Sequence, residues 1–238
     1  MNHVVRAKRS LGQNFLVDPN IQRKIVDAVD PGADDVIVEI GPGTGALTRT
    51  LAERAGRLVC IELDDALAAD LRRAFEGVAH VEVLHRDVLT LELADIAPPA
   101  SIKVVGNIPY NITSPILFHL LERRGRPRDI VIMVQREVAD RILAAPGFAA
   151  YGALSVGVQS VAKVERILHV GRGAFRPVPR VDSTALRITP LRPPPLTAGQ
   201  ETDLRSLTRA AFAWRRKQLQ KTLRASPLYG LDPAAVQR

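Results

Sequence analysis

The stretch Glu39-Ile40-Gly41-Pro42-Gly43-Thr44-Gly45-Ala46 constrains the fold of this chain more than any other. It follows the apolar, β-branched run Val36–Ile40 and precedes a helix-like pattern over 46–55. Glycines at a strand-to-helix turn let the main chain reverse tightly and come close to a ligand. The same rhythm continues downstream. Strands are predicted over 36–40, 58–63, 81–84, 103–106 and 130–135, nearly all apolar, as parallel strands covered on both faces should be. Helical patterns over 46–55, 65–75, 114–124 and 136–145 fall between them. This βαβ alternation predicts an α/β, doubly wound, Rossmann-like layer. Beyond Gly152 the runs 154–161 and 183–188 read as strands. Four prolines in 189–195 predict a linker. Helices over 201–212 and 214–223 predict a small C-terminal all-helical domain. The expected division is 1–190, with an N-terminal arm over 1–18, and 191–238.

At 238 residues, 46% apolar and 24% charged, the chain is globular rather than disordered, collagen-like or coiled-coil. Its longest apolar runs, such as 130–134, are too short to cross a bilayer, and no signal-peptide pattern is visible. Cys60 is the only cysteine, which excludes internal disulfides and cysteine metal clusters and fits a reducing cytoplasm. No membrane and no metal are expected. The net charge of +8 is unevenly spread. Residues 189–238 hold nine basic and three acidic side chains, leaving the body at only +2. A balanced body with a basic end predicts a catalytic unit with an anion-binding appendage, nucleic acid being the leading partner.

Taken literally, Gly41-x-Gly43-x-x-Ala46 satisfies the dinucleotide fingerprint, with Glu62 near the spacing of a ribose-binding acid. The loop alone therefore leaves a nicotinamide enzyme open. Three acids favour another adenosine cofactor. Glu39 ends the first strand, where a carboxylate repels a pyrophosphate but suits a cationic ligand. Glu62 ends the second and can accept from both ribose hydroxyls. Asp87, before Val88, follows the third and can accept from an adenine amine. Adenosine with a positive centre and no phosphate describes S-adenosylmethionine.

After the fourth strand comes Gly106-Asn107-Ile108-Pro109-Tyr110-Asn111. An exocyclic adenine amine is a poor nucleophile because its lone pair is delocalised into the ring. Acceptors holding its two hydrogens would let the nitrogen pyramidalise. Asn107 offers a side-chain carbonyl. Pro109 biases Ile108 to an extended conformation and has no N–H, so the Ile108 carbonyl can serve as a second acceptor. Tyr110 offers a face on which a base can stack. His85 reads as a surface histidine, and Tyr151 and Trp214 as core. An RNA-binding assembly factor that keeps the fold without turnover is the reading from a different class.

These motifs, with Leu11-Gly12-Gln13-Asn14-Phe15-Leu16 and the stretch from Phe175 to Ser183 containing Pro177, Pro179 and Arg180, occur in order. Together they resemble the ribosomal RNA adenine dimethyltransferase family, most closely its bacterial small-subunit branch. The resemblance implies a Rossmann-like methyltransferase domain followed by a small helical domain that grips RNA. It implies S-adenosylmethionine as cofactor and dimethylation of two adjacent adenosines near the 3′ end of 16S rRNA, in the immature small subunit, by a monomer. It also implies residue roles. Asn14 and Leu16 close over the cofactor, Gly41 and Gly43 line it, and Glu62 and Asp87 hold the ribose and the adenine beside Val88. Asn107 contacts both cofactor and target amine, while Tyr110 and Phe175 sandwich the base. Arg209, Arg215, Arg216, Lys217, Lys221 and Arg224 are expected to meet phosphates. Ile108 stands where the family more often has leucine, with only its main chain in use. The family generally continues for another helical stretch, so a further C-terminal segment is expected.

Overall fold

The computed structural model describes residues 7, 8, 11–110 and 112–212. In chain order the elements are β1 (Phe15–Leu16), α1 (Pro19–Val29), β2 (Val36–Ile40), α2 (Thr48–Ala52), β3 (Arg57–Glu62), α3 (Asp65–Ala74), β4 (Val81–His85) and β5 (Ile102–Asn107). They continue with α4 (Thr113–Leu120), β6 (Asp129–Gln135), α5 (Arg136–Leu143), α6 (Ala153–Gln159), β7 (Ala162–Val170), β8 (Phe175–Arg176), β9 (Ser183–Pro190) and α7 (Ala198–Ala211). The main sheet runs β4-β3-β2-β5-β6-β9-β7. Its pairs from β4 through β6 are parallel, and β9 enters antiparallel between β6 and β7.

Strand side chains alternate between two cores, one on each face of the sheet. Val38, Ile40, Val59, Ile61, Val104, Ile130 and Ile132 meet α4 and α6 on one face. Ile37, Leu58, Cys60, Val105, Val131 and Met133 meet α1 and the segment at Leu47 and Leu51 on the other. Burial on both faces is why these strands read as continuous apolar runs. The strands stop at β2 and β5 on either side of a switch in direction: the chain moves outward one way through β3 and β4 and the other way through β6. Ligands bind in the crevice at such a switch, beyond the carboxyl ends of the strands.

Several elements differ from the sequence reading, among them the short strands β1 and β8, which it did not assign. The run 154–161 is not a strand; Ala153–Gln159 is helical. Leu154, Ser155 and Val158 are buried at helical spacing, and the bare Cα of Gly157 lets the helix press on Phe118, whose ring would stand 2.7 Å from any added Cβ. β7 was not anticipated, because its Lys163, Glu165, Arg166 and His169 face solvent at the edge of the sheet. α1 was likewise unassigned; Asp18 caps it by accepting from the Asn20 and Ile21 N–H groups. The proline-rich stretch is partly ordered by the sheet, since β9 extends to Pro190 and the Leu191 N–H bonds the Val161 carbonyl.

Candidate active site

The glycine loop does not run straight into a helix. Residues 43–47 form turns before α2 begins at Thr48. Gly41, Gly43 and Gly45 have φ of 65°, 59° and 80°, a left-handed sequence that side chains disfavour. The Gly41 N–H bonds the Ile61 carbonyl at 2.9 Å, and the Gly43 N–H donates to Glu62 Oε2 at 3.0 Å. A Cβ on Gly43 would lie 3.0 Å from the Phe15 ring. The loop is thus a curved floor pinned to the ends of β2 and β3, with the N-terminal arm resting on it.

That floor and the end of β5 enclose an open-mouthed cleft, concave and set beyond the strand ends as small-molecule sites usually are. Asn14, Gly41, Gly43, Glu62, Asp87, Val88, Asn107, Ile108, Pro109 and Tyr110 all line it. A smaller recess beside it is lined by Leu16 and Glu39 and shares Gly41, Gly43 and Asn107. Glu39 is 2% exposed, and burial pushes its carboxyl up to about 7, with the neighbouring Glu62 adding to the rise. The Cys60 thiol lies 3.7 Å from its Oε2. The Thr48 hydroxyl stands alongside without well-formed hydrogen-bond geometry. Glu62 is also buried, and burial raises its pKa. Its Oε1 accepts from the Asp64 N–H at 2.9 Å, and each carboxylate oxygen retains a further lone pair for a ligand. Asp87, two residues beyond β4, is half-buried and caps the short turn 88–90, accepting from the Leu89 N–H at 2.9 Å. His85 is exposed, its ring bonded to the Leu63 carbonyl.

Asn107 links the two parts of the site. Its Nδ2 donates to the Asn14 carbonyl at 2.8 Å, which commits the amide end and leaves Oδ1 as the acceptor. The Ile108 N–H bonds the Met133 carbonyl at 3.1 Å, while among the described residues nothing donates to the Ile108 carbonyl. Tyr110 is half-buried with its hydroxyl 2.8 Å from Ser183 Oγ, and burial raises its pKa. The result is two carbonyl acceptors beside a phenol ring whose tilt is held by a buried serine.

Phe175 is a correction. It is 0% exposed, within the core cluster that contains Leu16 and Val170. Its strand pairs with β1, Leu16 opposite Phe175, so that pairing turns the ring inward and it presents no face to the cleft. Arg209 is exposed on α7, beside a separate groove between α4, α6 and α7. Arg215, Arg216, Lys217, Lys221, Arg224 and Trp214 lie outside the described residues. Sequence reasoning missed Ser183 as the partner of Tyr110. It also missed the arm's anchor, where Asp64 accepts from Lys8 Nζ at 2.9 Å and Gln13 Nε2 at 3.0 Å. The Asp64-Asp65 pair before a helical run was a readable cap signal. The contact with Lys8, far away in sequence, was not.

Residues 4–228 match the model of the family described as ribosomal RNA adenine dimethylase. The chain belongs to that family. This dimethylase is 44% identical over 227 residues to Ribosomal RNA small subunit methyltransferase A of Geobacter metallireducens, an alignment covering 94% of this chain and 82% of the relative. The protein of the same name from Aromatoleum aromaticum is 44% identical over 234 residues, covering 96% and 87%. Among solved structures, a dimethyladenosine transferase from Plasmodium falciparum superposes with a TM-score of 0.77 at 31% identity, covering 90% of this chain and 76% of that one. The 23S rRNA methyltransferase ErmE superposes with a TM-score of 0.73, also at 31% identity, covering 90% and 86%. The dimethylase thus has the α/β, Rossmann-like fold of these RNA methyltransferases. Among its described residues, no helix is long and apolar enough to cross a membrane, and no cluster of His, Cys, Asp and Glu could hold a metal ion.

Proposed function

We propose that this dimethylase uses S-adenosylmethionine to methylate the N6 amines of two adjacent adenosines near the 3′ end of 16S rRNA, each twice, in the immature small subunit. The observation that carries the reading is the meeting of buried Glu62 with the Asn107–Tyr110 turn in one crevice, with buried Glu39 in the adjoining recess that shares Gly41, Gly43 and Asn107. Neither acid has a Lys or Arg partner among the described residues. Unpaired buried carboxyls call for a ligand that brings positive charge and hydrogen-bond donors. S-adenosylmethionine fits that donor set, with its amino-acid end toward Glu39, its ribose hydroxyls toward Glu62 and its adenine toward Asp87 and Val88. A pyrophosphate would meet Glu39 across the loop, which argues against a nicotinamide dinucleotide.

When bound, the cofactor supplies an electrophilic methyl on a sulfonium centre and leaves as S-adenosylhomocysteine. The protein's own part is positioning and charge stabilisation. Asn107 Oδ1 and the Ile108 carbonyl accept the two hydrogens of the target amine, so its lone pair points at the incoming methyl. Tyr110 stacks the base, which must leave its helix or come from a single strand to reach the crevice. Asn14 and Leu16 roof the cofactor. The small-subunit target is supported by relatives of that name at 42–44% identity, against 31% for the 23S enzyme. In this reading residues 1–190 form the methyltransferase domain, 191–238 a helical RNA-binding domain, and the protein acts as a metal-free cytoplasmic monomer.

The test is methyl transfer from labelled S-adenosylmethionine to immature small subunits, followed by mass mapping of dimethyladenosine. Modification mapped to large-subunit RNA, or tight binding of NAD without S-adenosylmethionine in calorimetry, overturns the proposal.

A further inference from the structure

The loop from β7 to β9, residues 171–182, carries Arg172, Arg176 and Arg180, all exposed, and one acid, Asp182. Strand register ties it to the mouth of the site. Arg176 pairs with Phe15, whose ring rests on Gly43, and Ser183, at the loop's end, holds the Tyr110 hydroxyl. The Asp182 carboxylate accepts from the Arg172 N–H at 3.0 Å, and its carbonyl accepts from the Arg136 N–H at 3.0 Å. Arg136, at the start of α5, therefore stands on the same rim.

Charge on this rim is not balanced. The one Asp182 carboxylate is shared by Arg136 Nη1 at 3.7 Å and His169 Nε2 at 3.5 Å. Arg176 spends Nη1 on the neutral carbonyls of Gly173 and Phe175. Arg180 has no acidic partner among the described residues, and the exposed Glu137 beside Arg136 is the only other acid next to these cations in sequence. Interleaved with the arginines in the loop are two exposed aliphatic side chains, and a third stands on the arm beside it. Val178 is 54% exposed, Val17 46% and Val181 41%, and the Val17 N–H bonds the Ala174 carbonyl at 2.8 Å. Exposed apolar groups rimmed by polar ones mark contact surfaces. Excess cations alternating with apolar faces suit an anionic polymer that also offers unstacked bases, which is single-stranded RNA.

We infer that Arg136, Arg172, Arg176 and Arg180 grip the RNA phosphates flanking the target adenosine, with Val178 and Val181 against the adjoining nucleotides. This rests on the reading of RNA as substrate, and it assigns the grip to the catalytic face itself as well as to the basic C-terminal end. Arg176 pairs with the arm, the Arg172 and Arg136 N–H groups both bond Asp182, next to Tyr110's anchor, and Arg180 stands three residues before that anchor, so a strand held there would be led toward the crevice.

The test uses the full chain with Arg172→Gln, Arg176→Gln and Arg180→Gln combined. Binding of a single-stranded 3′-terminal small-subunit rRNA fragment is titrated over a range of KCl concentrations, and methyl transfer to immature subunits is measured alongside. Loss of three phosphate contacts should lower the slope of log K against log salt by about 2 and raise the KM for subunits about ten-fold, the effect falling on KM rather than kcat. Cofactor affinity by calorimetry should stay at the wild-type value. An unchanged slope and KM overturn the inference. A raised KM on subunits with an unchanged slope on the fragment overturns it too, by pointing to a ribosomal protein as the partner. If the triple variant also loses cofactor affinity, Arg180→Gln alone decides, with an expected slope change of about 0.7 and none if the inference is wrong. Wild-type protein that binds the fragment with the expected slope but transfers no methyl would count against the proposed function and leave the grip standing.

Discussion

Asn107 is committed at one end and free at the other. Its Nδ2 belongs to the Asn14 carbonyl, so only Oδ1 is left to accept from a target amine. Asn107→Ala should therefore lower kcat by at least about 100-fold, the scale on which a single positioned polar group acts, while RNA affinity is largely kept. Single-turnover methyl transfer measures it, and a variant of full activity would refute the assignment. At Tyr110 the ring matters more than the hydroxyl. Tyr110→Phe should keep most activity although it loses Ser183, whereas Tyr110→Ala should lose stacking worth roughly 1–3 kcal/mol; equal rates for the two would exclude stacking. Glu39 has its folded pKa raised from 4.5 to about 7. Between those values the folded state binds more protons than the unfolded, so the stability linked to Glu39 is complete below about 4.5. It is lost as pH rises through about 7, by roughly 3 kcal/mol in all. Glu39→Gln should flatten that slope in denaturant titrations from pH 5 to 8, and it should weaken binding of a cationic cofactor.

At the scale of elements, the loop and the arm form one unit. Phe15 lies on Gly43, the Gly43 N–H bonds Glu62, and the Glu62 carboxylate holds Asp64, which anchors Lys8 and Gln13. Gly43→Ala would ask an L residue to hold φ near 59° with a ring 3.0 Å away. It should cost about 1–2 kcal/mol in backbone strain and lift the arm, raising the KM for cofactor more than that for RNA. The strands were legible because double-sided burial writes long apolar runs. The segment 154–161 misled because apolar residues two apart suit a strand, while the burial that decided the matter came from the press of Phe118 on Gly157. Phe175 misled in the opposite direction: flanking prolines suggested a presented ring, but β1 pairing folded it into the core.

Over the whole molecule, α7 is fastened to the body by a buried pair. Arg126 and Glu201 are both nearly inaccessible, with Arg126 Nη2 2.6 Å from Glu201 Oε2 and Arg123 at 2.9 Å on the other oxygen. Glu201→Ala would leave Arg126 buried without its counter-charge. It should cost about 3–5 kcal/mol in chemical denaturation, far more than an ordinary surface change. The uneven charge also makes a prediction at this scale. RNA binding should weaken steeply between low and moderate salt, whereas cofactor binding, made by buried acids, should hardly move.

The succession of parallel strands from β2 to β6, the glycine loop, the three acids at or just beyond strand ends and the Asn107–Tyr110 turn were all determined by the sequence alone. Each rests on local rules: residue periodicity, the left-handed freedom of glycine, and the restriction proline places on its neighbour. Only the tertiary structure decided which residues face one another across the chain. It turned Phe175 inward, put Ser183 on Tyr110, brought Lys8 to Asp64 and paired Arg176 of the 171–182 loop with Phe15 of the arm. Those contacts join residues from tens to well over a hundred positions apart. Their energy comes from packing and shared hydrogen bonds that exist only once the strands have paired, so no local pattern records them.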